Sequence, residues 1–528
     1  MNDLPEARLK ESQGPWCAPR MFGAAVSSRI AAGASCLLLA VLLAACPPTL
    51  LSAEDGASRQ VDVKGTVKLF SSVYTEAALD DRYDPHDKLD YNLNRGEFHL
   101  ELSGYISEKV SYKSRLAFTY GAQSEVDDLE DLETGESGTT HSRDVDTDLK
   151  AASFTIMDFG LPGLDLTVGR QRVRWGTSDE YNVIDNLNPV DYGNLFTFDP
   201  DYFVAHLPMD GFNLEYRLPT DTTLRVQAVY FFSFKPSTLP ASFQARSTAL
   251  MQDRLEDLTE GYGFPAGTAA IVLDDPPDYS VGDGPVGLRV SGNLLNMDWG
   301  LSYYHGYVSL PVVHRIESDI GIDTGATLTS YLDYPKLDVV GFDLAGEVES
   351  VGIWAEVGCY WPEDYRVRQT TRFLATTETK YVRLFDRPYY KYTVGFDYTF
   401  GLGNGLYWNT QFNHGYYDEF RYTAEAKEEL GLGGAGFMGD LENYLASRIE
   451  YSFFNDELTA ILDGLLEMPE LSDISGNSAV VIKPKLIYKP YDNTSLELAY
   501  VLITGDRSTK YGAFDRKDVV YTLLKVHF

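Results

Sequence analysis

The densest grouping of side chains able to do chemistry is Gly169-Arg170-Gln171-Arg172-Val173-Arg174-Trp175-Gly176, followed by Asp185-Asn186-Leu187-Asn188-Pro189-Val190-Asp191. Arg170, Arg172 and Arg174 stand at alternate positions, so an extended chain puts their guanidinium groups on one face. A guanidinium is a planar fork of donors that fits a carboxylate, and Asp185 and Asp191 supply carboxylates on the next segment. Two readings are open. The segment through Asp191 folds inward and narrows a passage with the arginines opposite its carboxylates, or the arginine–carboxylate network braces a wall.

Other chemistry is poorly represented. There is no Gly-x-Ser-x-Gly elbow, no His-Glu-x-x-His and no phosphate loop. His305 shares parity with Trp299, Leu301 and Tyr303, and His414 with Trp408 and Phe412. This places both histidines in an aromatic belt rather than beside a nucleophile, and no catalytic residue is assigned. Cys-x-x-Cys-His is absent, so no haem is attached and no cofactor is expected. In the run from Glu125 to Glu136 seven of twelve residues are acidic, but the spacing is not that of a Ca²⁺ loop and no metal is assigned. A net charge of -34 disfavours nucleic acid as a partner.

The elements that must position these residues are strands. Phe98, Leu100, Leu102, Gly104 and Ile106 alternate with Arg95, Glu97, His99, Glu101 and Ser103. A strand buried in a soluble core does not carry four ionisable groups on one face, whereas a strand between lipid and a wet lumen does. The same alternation sets Leu116 and Phe118 against Arg115, Val226 and Ala228 against Arg225, and Leu288 and Val290 against Arg289. It also sets Phe342, Leu344 and Val348 against Asp343 and Glu347. Arg95, Glu97, Glu101, Arg115, Arg225, Arg289, Asp343, Glu347 and Glu356 are therefore candidate pore-lining residues, a face of both signs. One strand breaks the rule, because Leu164, Leu166 and Val168 share parity with Arg170, Arg172 and Arg174. A bulge at Gly169 is the expected remedy, turning the arginines into the lumen.

About eighteen such segments are legible, with sixteen as the alternative, beginning near Val61, Leu93, Val110, Asp148, Leu164, Gly211, Thr222, Val286, Met297, Leu337, Val351, Tyr389, Gly405, Tyr444, Glu457, Ala479, Thr494 and Asp515. Short links rich in Gly, Pro, Asn and Asp alternate with long polar stretches such as 122–147, 233–285, 308–336 and 362–388. The fold class is thus all-β, a transmembrane antiparallel up-and-down β-barrel with short periplasmic turns and long extracellular loops. Aromatics at 13%, 36 Tyr and 45 Gly suit it.

Residues 1–53 are read as an export region, with an apolar core from Cys36 to Ala45 and Met21 as the true start, and 54–528 as one barrel domain. Leu43-Ala44-Ala45-Cys46 matches a lipoprotein box, making Cys46 a lipidation candidate beside cleavage near Ala53. The mature chain keeps Cys359 and at most one other cysteine, so no disulfide framework is implied. At the other end Val520, Leu524, Val526 and Phe528 share a parity, and a terminal aromatic of this kind resembles the signal read by barrel-assembly machinery.

The Gly-Arg-Gln, Trp-Gly and Asn-Pro-x-Asp elements at Gly169 to Gln171, Trp175-Gly176 and Asn188 to Asp191 resemble a porin-like bacterial outer-membrane family long classed as a domain of unknown function, loosely akin to alginate-export barrels. Val340 to Ala345 and Tyr304 to Tyr307 look similar to repeating features of that family. The resemblance implies a barrel in the outer membrane that passes or binds something, across Val61 to Phe528. The expected function is a porin-like channel for passive passage of small polar solutes or ions, with a non-conducting structural, sheath or adhesin-like barrel as the alternative. Expected partners are outer-membrane lipid and lipopolysaccharide, the assembly machinery and small polar solutes.

Overall fold

The computed structural model describes residues 61–77, 88–121, 146–179, 181–192, 205–219, 223–239, 269–273, 284–321, 325–373, 375–430, 440–474 and 476–528. The export region, Met21 and Cys46, and the acidic run at 125–136, lie outside the described residues.

Eighteen strands form the wall: β1 Val61–Tyr74, β2 Tyr91–Ser107, β3 Val110–Gly121, β4 Asp146–Ile156, β5 Leu164–Gln171, β6 Met209–Arg217, β7 Arg225–Phe231, β8 Val286–Leu294, β9 Met297–Tyr307, β10 Lys336–Val348, β11 Val351–Pro362, β12 Tyr389–Phe400, β13 Leu406–His414, β14 Asn443–Phe453, β15 Leu458–Met468, β16 Ala479–Tyr491, β17 Thr494–Gly505 and β18 Val519–His527. Each pairs antiparallel with its neighbour in sequence, and β1 pairs with β18 in the register Thr66↔His527 through Tyr74↔Val519. Closure of β18 on β1 leaves the sheet without a terminal edge strand, whose unpaired backbone groups lipid would penalise severely. Every expected segment lies within four residues of an observed strand start.

The alternation sorts the two faces. Phe154, Phe212, Leu288, Phe342, Val394, Ile449 and Leu498 are exposed on the outside, while Glu97, Asp343, Glu356, Gln411 and Asn413 are buried on the inside. An apolar outer belt on a closed barrel of this size makes the protein an integral β-barrel of the outer membrane. Short turns are built where the sequence places them: Leu295 and Asn296 (φ 56° and 61°) join β8 to β9, and Glu349 and Ser350 (φ 51° and 72°) join β10 to β11. Two left-handed central residues match the twist of the flanking strands.

The barrel closes at its own terminus. Phe528 and Gly65 exchange backbone hydrogen bonds of 2.9 and 3.0 Å, and the Phe528 ring stacks near Phe98 at 6.1 Å. A Cβ on Gly65 would stand 2.1 Å from the tip of that ring. Gly65 is therefore the seat of the terminal aromatic.

The long extracellular stretches contain structure that the sequence reading took for polar loop. Strands Val312–Gly321 and Gly325–Asp333, between β9 and β10, join Arg366–Phe373 and Thr376–Arg383, between β11 and β12, and Ala269–Leu273, in a five-stranded crown. One crown face buries Ile316, Leu328, Leu332, Val367 and Val382 in a core shared with Phe385, Phe420 and Leu430 of helix α1 (Ala424–Leu430). These strands are rich in Thr and Arg, and their buried face is too short to stand out as a run.

Candidate functional site: a segment across the lumen

The wall ends early at β5. Its register with β4 runs without a shift through Ser153↔Gly169 and Ala152↔Arg170, so the expected flip by a bulge does not occur. Gly169 adopts φ 119°, the strand stops at Gln171, and residues 172–189 leave the wall. Arg170 stays in the strand opposite Asp210, and the strand ends before Arg172 and Arg174 would face lipid.

The segment crosses the interior to the opposite side. Trp175 donates from Nε1 to Gln227 on β7 at 2.8 Å. Ser178 and Val183 donate backbone N–H groups to Glu356 on β11 at 2.7 and 3.0 Å, joined by Thr177 at 2.5 Å. Asn409 and Gln411 of β13 then hold Asp179 at 2.8 Å and the Tyr181 carbonyl at 3.1 Å. In a wall of eighteen strands, β5 and β13 are nearly diametrically opposite. Irregular backbone at membrane depth requires partners for its polar groups, and these side chains supply them. Asn188 closes the excursion by accepting from Val173 N–H and donating to the Leu207 carbonyl, both at 2.9 Å.

Three inward-facing glycines make room for it. A Cβ on Gly287 would stand 2.5 Å from the Trp175 ring and on Gly341 2.8 Å from Ile184, while on Gly358 it would press on Tyr360 at 2.8 Å and the Val183 carbonyl at 3.3 Å. The segment is seated against β8, β10 and β11, one side of the barrel. Cavities lie elsewhere among the described residues. One of about 670 Å³ is lined by β1 to β5, β18 and the ends of the segment, and one of about 510 Å³ by β13 to β17 with Asp179 and Tyr181.

The larger cavity is basic. Lys68, Lys113, Arg115, Lys150, Arg170, Arg172 and Lys525 line it, against the carboxylates of Glu97 and Asp191. Glu97 is itself surrounded, with Arg95 at 2.7 Å, His99 at 2.7 Å and Lys68 at 3.5 Å.

The three arginines of the block part company. Arg170 pairs with Asp210 on β6 through Nε and Nη2 at 3.1 and 2.8 Å, and Arg174 donates to the Ser178 carbonyl at 2.7 Å. Arg172 alone approaches the segment's carboxylates, at 3.9 Å from buried Asp185. Burial raises the Asp185 carboxyl above its usual range despite the opposing pull of His206 and Arg172. Burial also lowers His206, 3.8 Å away, against the pull of Asp185. Asp191 accepts from the Thr238 hydroxyl and lines the basic cavity.

Of the remaining lumen candidates, Arg115 lines the basic cavity and approaches His99 at 3.5 Å, and Glu101 pairs with Lys113 at 3.4 Å. Arg289 reaches over Gly300, where a Cβ would stand 2.2 Å from its guanidinium, to Asp343 at 2.7 Å. That pair braces β8 to β10. Arg225 lies 3.9 Å from Glu215, and Glu347 is exposed beside the β10–β11 turn. On the outer wall His305 hydrogen-bonds Asp338 at 2.8 Å and His414 hydrogen-bonds Asn443 at 2.9 Å.

Sequence reasoning missed the anchoring role of Glu356 and the seats at Gly287, Gly341 and Gly358. A signal was present, since these glycines fall at lumen parity on strands β8, β10 and β11. It missed Lys525 because its cavity neighbours are hundreds of residues away.

Residues 29–525 match the family model described as "Protein of unknown function (DUF1302)". The chain belongs to this family. No curated protein matches it. Among solved structures the family barrel is similar to the outer-membrane protein OpdK of Pseudomonas aeruginosa, at 12% identity and TM-score 0.44 over 88% of this chain and 98% of that one. OccAB4 of Acinetobacter baumannii gives 9% and 0.45 over 90% and 100%. Wzi of Escherichia coli, described as a carbohydrate-binding β-barrel involved in group 1 capsule assembly, gives 10% and 0.43 over 88% and 84%.

Proposed function

We propose that this barrel is a porin-like channel for passive passage of small polar solutes, with anions favoured over cations. The observation that carries the reading is the basic cavity beside the transverse segment. Among the described residues seven Lys and Arg line it against Glu97 and Asp191, with Glu101, Asp148, Asp210 and Asp185 behind the lining as partners of Lys113, Lys150, Arg170 and Arg172, although the whole chain carries -34. Cations gathered in a cleft with low-dielectric walls raise the local concentration of small anions and speed their entry. A space of about 670 Å³ admits a small organic molecule, and the segment from Arg172 to Asp191 is the selective constriction.

The test is planar-bilayer recording of the refolded barrel across a salt gradient. Discrete conductance steps with a reversal potential on the anion side support the reading, and cation preference removes the anionic part of it. A folded but silent barrel supports a second reading, a structural barrel. That alternative draws on the apolar core linking Trp175, Leu187 and Tyr192 with the crown residues Leu328 and Val367.

A further inference from the structure

We propose that the outward face of the crown sheet docks the phosphate groups of lipopolysaccharide in the outer leaflet. The inference rests on the placement of the barrel in the outer membrane and not on whether it conducts.

The crown has two unlike faces. In the pairings Arg315↔Arg368, Glu317↔Thr370 and Asp319↔Arg372, and Arg366↔Arg383, the polar residues share one side. The other side carries Ile316, Leu328, Leu332, Val367 and Val382 into the core that also contains inward-facing Tyr304, Val339 and Tyr360 of the wall. The apolar face therefore packs with the interior of the wall, and the arginine face is the opposite, exposed side of the sheet.

Charge on that face is unbalanced. Asp364 is shared by Arg366, Arg383 and Arg387 at 3.6, 3.4 and 3.6 Å. Glu317 is shared by Arg315, Arg368 and Arg372 at 3.6, 3.8 and 3.9 Å, with Asp319 a further partner of Arg372 at 3.0 Å. Among the described residues these six guanidiniums thus meet three carboxylates. Side chains of Arg366, Arg368, Arg372 and Arg383 keep 61, 45, 48 and 44% exposure. One carboxylate holding three guanidiniums fixes their spread while leaving donors pointing outward, and a fixed fork of donors is the arrangement that binds phosphate.

Position selects the source of phosphate. Trp361 is exposed on the outer wall at the end of β11, and Arg366 opens the crown strand five residues later. Five residues of chain reach at most about 18 Å, so Arg366 lies within that distance of Trp361. The arginine face stands just beyond the aromatic level, where phosphorylated sugars of the outer leaflet lie.

The test measures binding of bisphosphorylated lipid A to the full-length protein in detergent, by native mass spectrometry, with dephosphorylated lipid A and soluble polygalacturonate as the other probes. In Arg366→Gln/Arg368→Gln/Arg383→Gln, binding falls roughly tenfold, as loss of three exposed ion pairs predicts, while heat-modifiability is retained. Arg366→Lys/Arg368→Lys/Arg383→Lys keeps more binding than the Gln variant, because charge remains without the fork. Lys109→Gln/Arg217→Gln, at the periplasmic turns, binds as wild type. The proposal is overturned if the Gln variant stays within about twofold of wild type, if removing the phosphates leaves affinity unchanged, or if polygalacturonate binds and lipid A does not. Should the Gln variant fail to assemble, the Lys variant and the phosphate dependence of the wild type decide it.

Discussion

Glu356 is the point at which the transverse segment is most vulnerable. It is 2% exposed, and its Oε1 accepts from Thr177 and Ser178 while Oε2 accepts from Val183. Hydrogen bonds to a charged acceptor contribute about 1.5–3 kcal/mol each net, so the three together hold the segment by on the order of 5 kcal/mol. Glu356→Ala then lowers the ratio of docked to undocked segment by roughly three to four orders of magnitude. Glu356→Gln is intermediate, because the amide keeps one acceptor oxygen for Thr177 and Ser178 and turns its NH₂ toward the Val183 N–H. The wall is expected to survive, since β11 keeps its backbone ladder with β10 and β12. The assay is maleimide labelling at Ser178→Cys, a position with 0% exposure, in a background lacking Cys359, with single-channel recording in parallel. Labelling rises steeply in the Ala variant and moderately in the Gln variant, and conductance increases in the same order. A rise below about tenfold for Ala, with unchanged currents, would refute the claim that Glu356 docks the segment.

Other predictions address separate parts of the molecule. Gly287→Val drives a side chain into Trp175 and Leu187, so it should release the segment and raise Ser178→Cys labelling without touching a hydrogen bond; normal labelling would show that the glycine seat is dispensable. Neutralising Lys113, Arg115 and Lys525 to Gln removes three of seven cavity cations and should move the reversal potential toward cation permeation, an unmoved potential placing the selective path elsewhere. Gly65→Leu displaces Phe528 and should lower the heat-modifiable assembled fraction as deletion of Phe528 does, and normal assembly of both would discard the terminal aromatic as a signal. Burial raises the Glu442 carboxyl to about 9, with Lys510 opposing and Glu419 and Glu467 adding to the rise. Its folded value lies above the unfolded one, so its contribution to loop packing is full below about 4.5 and is lost as pH rises through about 9. Tryptic cleavage after Lys427 should accordingly accelerate between pH 6 and pH 9.5, and Glu442→Gln should flatten that rise; an identical slope in the variant would assign the effect to another group.

What the sequence determined by itself is the wall. Whether Phe342 faces lipid and Asp343 water is decided by period-2 geometry within a dozen residues, and whether Leu295-Asn296 turns is decided by the chain's local stereochemistry. Such short-range facts give the strand count, the hairpins and the closed barrel. The route of residues 172–189 is a different kind of fact. Gly169 does not announce whether a strand bulges or ends, and here the missing wall partners beyond Gln171 end it. Arg170, Arg172 and Arg174 share a parity in sequence, but Arg170 stays in the sheet opposite Asp210, while Arg172 and Arg174, beyond the end of the strand, find Asp185 and a backbone carbonyl. The basic cavity exists only because closure sets β18 beside β1, bringing His527 within 2.9 Å of Thr66 across 461 residues. Parity tells a side chain to face inward, and only the closed, filled barrel decides what it meets there.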